Sequence, residues 1–498
     1  MIWFLLSSTV LASSPVVEET RALVSSIAQY GDTAQPDRSQ PWWNSIQDKG
    51  LHEVIQTGLS ENPGLAAARA RSDLAKATTW QSLSGLLPTI AFEAATQQAP
   101  TDAMTLNPGT ASMPNYSEAF QSLGQLLEDV AAFTGDDPST LPDFTGGEQT
   151  ELPETFRQSS TMLKGSWAID IFGRQTLSTM AAHKDARAAR SGEHGQMRAL
   201  AGQLGTAWYN LVAAREQSRL VQEQVNTASE LLEIVQLRYE RGEGSALDVL
   251  QQRQQLAGTQ ALLPRAQAGE KAAHGRLSIA LGKSPTASLP PSNGWPELES
   301  APAIGSPARL IDDRADVRAA IETVEGARLR RASSFSALAP TVTLTGQYGK
   351  QYLSFDETDS VNTWGIGAVA TVPLFAGGRT HSGIRAARAA RDIAQMELRS
   401  TVLAAVDQVE NAVTMEAAAE KTLEAVRHQA QAARQALDES RAYYLQGLAP
   451  YVTVLAALAA DQAAQLGLLD AERNRLEARI QLHTALGGHW VTTRESPR

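Results

Sequence analysis

Apolar and small residues step by three and four along one long stretch of the chain. They run Leu204, Ala207, Leu211, Ala214, Ser218, Val221, Val225, Ala228, Leu232, Val235, Tyr239. This is a heptad seam over five repeats, the signature of helices packed as a coiled coil. The stretch Arg174–Arg241 has no proline and is rich in Ala, Leu, Gln, Glu and Arg, which are good helix formers. Gly192, Gly195, Gly202 and Gly205 weaken its start. A second proline-free run, Arg379 to Gln446, has Glu397, Ser400, Asp407 and Glu410 in their places, so the first helix is read through. The second seam is Val409, Ala412, Glu416, Ala419, Leu423, Val426, Ala430, Ala433, Leu437, Ser440, Tyr444, with Glu416 its one blemish.

The two runs share a register. Tyr239-Glu-Arg-Gly242 and Tyr444-Leu-Gln-Gly447 align at an offset of 205 (444 − 239). The same offset matches Phe172-Gly173-Arg174 with Gly377-Gly378-Arg379 and Leu281-Gly282 with Leu486-Gly487. The chain is an internal duplication. At ~1.5 Å per residue each long helix is a rod of roughly 100 Å.

Ahead of each rod the period changes from helical to two. Ile90, Phe92 and Ala94 alternate with Thr89, Ala91 and Glu93, and Leu163, Trp167, Ile169 and Ile171 alternate with polar or small residues. In the second half Val342, Leu344, Gly346 and Tyr348, then Trp364, Ile366, Ala368, Ala370, Val372 and Leu374, do the same. These predict four strands, about 89–97, 161–172, 341–350 and 363–375, each with one apolar and one polar face. Pro88 to Gly173 spans 85 positions where Pro340 to Gly378 spans 38, so the first strand pair carries a loop insertion over 98–160 that is 47 residues longer. It holds one short helical patch around Phe120–Phe133.

The domain reading follows. Residues 1–12 are an apolar stretch too short to span a bilayer, with Val10 and Ala12 placed as a cleavage site, and read as a signal peptide. Residues 13–62 form an N-terminal periplasmic segment, irregular over 15–45, in which Trp42-Trp43 cap a hydrophobic junction before a short helix at Leu51–Ser60. The first repeat is 63–282, opened by Asn62 as cap and Pro63 as first helical residue. It carries a tip at 242–245, after which a helix returns through Pro264. A Pro/Ser/Gly linker at 283–311 leads to the second repeat, 312–488, with its tip at 447–450, and 489–498 are a tail. In each half two shorter helices add up to about the long one, which predicts that they stack end to end beside it. The four strands suit tilted membrane-spanning strands. An open sheet edge is not tolerated in lipid and four strands cannot close a barrel with a lumen, so the chain is expected to oligomerise. Trp167 and Trp364 fit an interfacial girdle.

Composition narrows the chemistry. Hydrophobic residues make up 43% of the chain, and a mean hydropathy of −0.24 excludes a bundle of membrane helices. A net charge of −11 gives no nucleic-acid footprint. The absence of cysteine removes disulfides, thiolate metal sites and cysteine catalysis, and leaves Leu11-Ala12-Ser13-Ser14 as a lipoprotein-like signal with serine where the lipidated cysteine would stand. The eight histidines show no paired ligand spacing, and there is no nucleophile elbow or phosphate-binding loop. Gly365-Ile-Gly-Ala-Val-Ala370 matches a dinucleotide fingerprint only superficially, because it lies inside a strand. Neither an enzyme nor a cofactor is expected.

The Pro-Trp-Trp start, Asn62-Pro63, Leu87-Pro88, Asp170-Ile-Phe-Gly-Arg174, both Tyr-x-x-Gly turns, the Leu-Gly ends and Pro373-Leu-Phe375 before Gly378-Arg379 occur in one order and register. In this the chain resembles the TolC-like outer-membrane efflux proteins over nearly its whole mature length. The resemblance implies a mostly α fold with a small β part: a homotrimer whose strands close a twelve-stranded outer-membrane barrel above a periplasmic barrel of long coiled-coil helices. It implies passive export through an outer-membrane duct that works with a periplasmic adaptor (membrane fusion) protein and an inner-membrane pump of the resistance-nodulation-division type. Gly242, Gly244, Ser245, Gly447, Leu448 and Pro450 then mark the adaptor-docking tip. Asp248, Tyr444, Tyr451 and Thr453 mark the gate, with Asp248 and Tyr444 matching a pair that links neighbouring helices in closed members. The arginine sharing that link falls on Ala449, and two aspartates of the narrowest ring fall on Thr453 and Ala456. An uncharged gate is expected to close sterically or by dewetting around Tyr451 and Val452. The alternative is a periplasmic coiled-coil scaffold without a channel.

Overall fold

A computed structural model describes residues 15–27, 40–100, 155–292, 294–305, 310–354 and 358–488. The signal peptide, the body of the insertion with its helical patch, and the tail lie outside the described residues. The elements are α1 (Pro15–Ile27), α2 (Lys49–Glu61), α3 (Pro63–Ser84), β1 (Thr89–Pro100), β2 (Thr155–Ile169), α4 (Arg174–Glu240) and α5 (Ala246–Ala280). After the linker come α6 (Leu310–Asp313), α7 (Ala315–Phe335), β3 (Thr341–Ser354), β4 (Thr358–Thr371), α8 (Arg379–Leu445) and α9 (Tyr451–Leu486). They divide into a helical unit (up to Ser82, Leu177–Phe335, and from Gly378) and a sheet unit (Leu83–Thr176 and Ser336–Gly377).

In the sheet unit the strands pair antiparallel in the order β1-β2-β3-β4. The register lines up Phe92, Leu163, Tyr348 and Trp364 across all four strands, flanked by a row of Ile90, Gly165, Gly346 and Ile366. The opposite face carries Lys164 beside Gln347, and Glu93, whose carboxylate holds the Lys164 ammonium at 2.9 Å. The apolar face is bare in the single chain: Phe92 is 72% and Ile366 86% exposed. A contiguous apolar face of that kind marks a surface that meets lipid or protein.

Strand ends differ from expectation in two ways. β1 and β2 stay paired out to Pro100 and Thr155, so the flanks of the supposed loop insertion are strand. Ladder bonds are made by the backbone, and polar side chains such as Thr96 and Ser159, 2.9 Å apart, pair across them. At the other end β2 stops at Ile169 and β4 at Thr371. Asp170 accepts the N–H groups of Gln175 (3.0 Å) and Thr176 (2.7 Å), which caps α4 and turns Ile171 and Phe172 out of the strand.

In the helical unit both long helices are unbroken. Glycines at 202 and 205 serve close approach: a Cβ would lie 2.7 Å from Thr484 Oγ1 at the first and 3.0 Å from the Trp42 ring at the second. The short helices do meet end to end. Asn62 caps α3 by accepting the Leu65 N–H and donates to the carbonyl of Ala280 at the end of α5 (2.7 Å). At the equivalent place in the second half, Arg314 before α7 donates to the carbonyl of Ala485 in α9 (3.1 Å). Ala280 and Ala485 are 205 apart, so both junctions cap the same orphan carbonyl with different side chains.

One core cluster gathers Trp42, Trp43, Leu51, Ile55, Leu204, Trp208, Tyr209, Leu277 and Ile480. Asp48 sits beneath it, accepting the N–H groups of Gly50 and Leu51 and the Trp208 Nε1–H (2.7 Å) and Tyr209 hydroxyl (3.2 Å). A second cluster packs α1 against α7, α8 and the end of α9. Residues 15–27 were expected to be irregular. They form a helix because Val16, Thr20 and Val24 recur every four residues and are buried by α7 and α8.

Glu416, the blemish in the second seam, is buried and held by Arg479 Nε at 2.6 Å and by Arg475. Arg479 also donates to the carbonyls of Glu299 (2.8 Å) and Ser300 (3.3 Å), so this ionic cluster ties the linker to α8 and α9. α9 is, among the described residues, a helix long and apolar enough to cross a membrane by length and composition, yet it runs along α8 and buries Arg475 and Arg479.

Candidate gate and docking tip

Both hairpin turns have the same backbone. In the first, the Gly242 N–H donates to the Tyr239 carbonyl (2.9 Å) and the Glu243 N–H to that of Arg238 (2.9 Å). In the second, Gly447 donates to Tyr444 (3.0 Å) and Leu448 to Tyr443 (2.8 Å). Gly242 at φ +76° and Gly447 at φ +74° take the left-handed conformation that ends a helix, which glycine adopts without a Cβ penalty.

The side chains then diverge. Ser245 caps α5, its hydroxyl accepting the Leu247 N–H (3.0 Å), while Asp248 reaches back to the Ser245 N–H (3.2 Å) in a capping box. Asp248 is thus engaged at its own helix terminus. Pro450 and Thr453, the matching positions before and within α9, make no side-chain cap. Gly242, Ser245, Gly447, Leu448 and Pro450 are exposed, Gly244 is half-buried, and Leu448 stands 71% open as an apolar knob.

Tyr444 and its counterpart Tyr239 part company. Tyr239, placed in the first seam by sequence, is 50% exposed, and Leu231 is buried in preference to Leu232. Tyr444 is 4% exposed in a cluster with Leu231, Val235, Val249, Leu437, Tyr451, Val454 and Leu458. Its ring packs edge-on against Tyr451, centroids 5.3 Å apart. Its hydroxyl has no hydrogen-bond partner among the described residues, so no bond to Asp248 forms within one chain. Burial pushes the Tyr444 hydroxyl pKa up, the nearby Asp248 charge adds to the rise, and Arg238 opposes it.

Arg238, which sequence reading passed over, links the two hairpins. Its Nη1 donates to the carbonyls of Tyr444 and Leu445, each at 2.8 Å, and its guanidinium lies 4.8 Å from the Tyr444 ring centroid. It therefore satisfies the last carbonyls of α8 from α4, and joins the two hairpins by charge-assisted bonds and a cation–π contact. The available signal was its place one residue before Tyr239, in the last turn of α4, where a basic residue favours a helix C-terminus.

Tyr451 does not face the space that was expected to dewet. It is 2% exposed, and its hydroxyl donates to Gln252, whose Nε2 donates to the Ala228 carbonyl at 2.6 Å. Burial raises its pKa well above the usual phenol value. The exposed residues in the first turns of α9 are Val452, Thr453 and Ala456. Away from the tip, Asp461 is buried with Arg434 at 3.5 Å and accepts from Gln465 at 3.0 Å, while Gln255 bonds Gln462 at 3.0 Å. Burial raises the Asp461 pKa despite the Arg434 charge.

The family model described as outer membrane efflux protein matches residues 136–283 and 307–488. Nodulation protein T of Rhizobium leguminosarum bv. viciae is 24% identical over 462 residues, covering 92% of this chain and 86% of its own. The pyoverdine export outer membrane protein OpmQ of Pseudomonas putida is 24% identical over 502 residues, covering 97% and 96%. Among solved structures, the outer membrane protein VceC from Vibrio cholerae superposes with a TM-score of 0.73 at 22% identity, over 92% of this chain and all of its own. The family model covers most of both repeats, and the chain belongs to the outer membrane efflux protein family.

Proposed function

We propose that this chain is the outer-membrane exit duct of a tripartite export system, assembled as a homotrimer whose twelve strands close a barrel in outer-membrane lipid. The observation that carries the reading is the sheet. It has one apolar and one polar face, both open, and among the described residues two edge strands, β1 and β4, with no further strand beside them. In lipid those edges must be paired, and copies of the same sheet are the partners that close it.

The helical tip receives a periplasmic adaptor, and an inner-membrane pump supplies the energy, so no residue is assigned a bond-making step. Gly242, Gly244, Ser245, Gly447, Leu448 and Pro450 form the docking rim. Asp248, Tyr444, Tyr451 and Thr453 belong to the gate, with Arg238 as the bolt between hairpins. Thr453 and Ala456 make the narrowest point uncharged, which favours steric closure over cation binding. Small molecules are the cargo class, consistent with a relative named for pyoverdine export.

Planar-bilayer recording of the purified protein tests this. The wild type should be mostly closed, and Arg238→Ala should raise open probability. Absence of conductance in both proteins would overturn the duct reading.

A further inference from the structure

A cavity of about 660 Å³ opens between α1, α7 and α8, wholly within the helical unit. That volume lies in the range of sites that hold a drug-sized ligand. Its floor is apolar: Val16, Val324 and Leu398 are each at most 5% exposed, with Leu23 beside them. Its rim is cationic, with four arginines at 328, 331, 391 and 399 against one carboxylate, Glu19. Arg328 is paired with Glu325 at 3.4 Å and Arg391 with Asp392 at 2.8 Å, each on its own helix. Arg331 and Arg399 have no ion-pair partner among the described residues, and the Nε atoms of Arg331 and Arg391 are buried without an acceptor.

An apolar trough whose rim holds two guanidinium groups without an ion-pair partner among the described residues, Arg331 and Arg399, is complementary to a molecule with a hydrocarbon body and an anionic head. Guanidinium bonds phosphate in a fork; a zwitterionic phospholipid carries the same phosphate but adds a cation that the arginine-rich rim repels. Phe335, which also lines the cavity, stands six residues before the first residue of β3 along the chain, so the trough belongs to the stretch that leads into the strands.

We propose that this cavity binds an anionic phospholipid, an acyl chain on the Val16–Val324–Leu398 floor and the phosphate between Arg331 and Arg399. The site lies wholly within the helical unit and shares no residue with the tip. Native mass spectrometry of delipidated protein tests it with phosphatidylglycerol, phosphatidylcholine of the same acyl chains, and glycerol phosphate as the head alone. Phosphatidylglycerol should bind at least tenfold more tightly than either of the others. Arg331→Gln with Arg399→Gln, at half-buried and exposed positions, should abolish that preference while circular dichroism and phosphatidylcholine binding stay unchanged. Equal retention of the two phospholipids by the wild type, or undiminished phosphatidylglycerol binding by the double variant, would overturn the proposal. Tighter binding of glycerol phosphate alone would do the same, because the apolar floor would then have no role. Bilayer conductance is read separately, so a failed lipid assay leaves the duct reading standing.

Discussion

The α4–α5 and α8–α9 hairpins are the same backbone built twice. Turn hydrogen bonds, left-handed glycines and register all repeat at an offset of 205. Yet the first tip presents charge and caps itself, while the second buries two tyrosines and leaves its helix start uncapped. Ser245 and Asp248 stand where Pro450 and Thr453 stand in the copy. Tyr239 is exposed where Tyr444 is buried. Duplication therefore preserved the left-handed turn geometry that glycine adopts without a Cβ penalty, and let the side chains divide the work. The first hairpin reaches out through Arg238, and the second supplies the carbonyls and the ring that Arg238 grasps.

Breaking the buried side should cost most. Tyr444→Ala removes a packed aromatic from the tip cluster and should destabilise it by about 3 kcal/mol, the low end for an aromatic-to-alanine change in a core. Tyr239→Ala, the same change in the exposed copy, should stay within ~0.5 kcal/mol. Hydrogen exchange of the two hairpins compares them directly, and equal losses would end the division-of-labour reading. Arg238→Ala should follow at about 2 kcal/mol, having lost two charge-assisted bonds and a cation–π contact on a half-buried side chain. Its signature is faster exchange at the end of α8, on the opposite hairpin from the mutation.

Ser245→Ala should cost about 1 kcal/mol and fray only the start of α5. Pro450→Ser, which offers α9 the missing cap, should change thermal stability little or raise it. A large loss there would mean the proline's fixed φ matters more than a cap. The smallest effect is expected at Asp461. Its folded-state pKa is raised, so its ionised form is disfavoured at neutral pH. Protonation relieves that cost, and the stability gained as pH falls is complete below the unfolded carboxylate value and is lost again as pH rises through the folded one. Asp461→Asn should leave melting at pH 7 equal or slightly higher and remove this part of its pH dependence. A clear loss would show that the Arg434 pair outweighs burial.

Much of the candidate site was legible because turns are local. Tyr-x-x-Gly followed by a polar cap announces a helix end and a new start from a handful of neighbours. What was not legible depended on partners far away along the chain. Arg238 looks like one more basic residue on a solvated helix until the carbonyls of Tyr444 and Leu445 arrive. Tyr451, read as facing open space, turns inward because Gln252 offers it an acceptor. Glu416 looked like an error in a seam because Arg475 and Arg479 lie on another helix. The helix at Pro15–Ile27 was missed because one short amphipathic face means little until α7 and α8 bury it.

The sequence by itself determined the duplication, the rods, the four alternating strands and the turns, since each rests on periodicity or on a residue's own backbone preference. Tertiary structure alone decided which of two equivalent tyrosines is buried, which arginine joins the hairpins and how a buried carboxylate is met. Those outcomes are set by electrostatics and packing between segments far apart in the chain, and no local pattern encodes them.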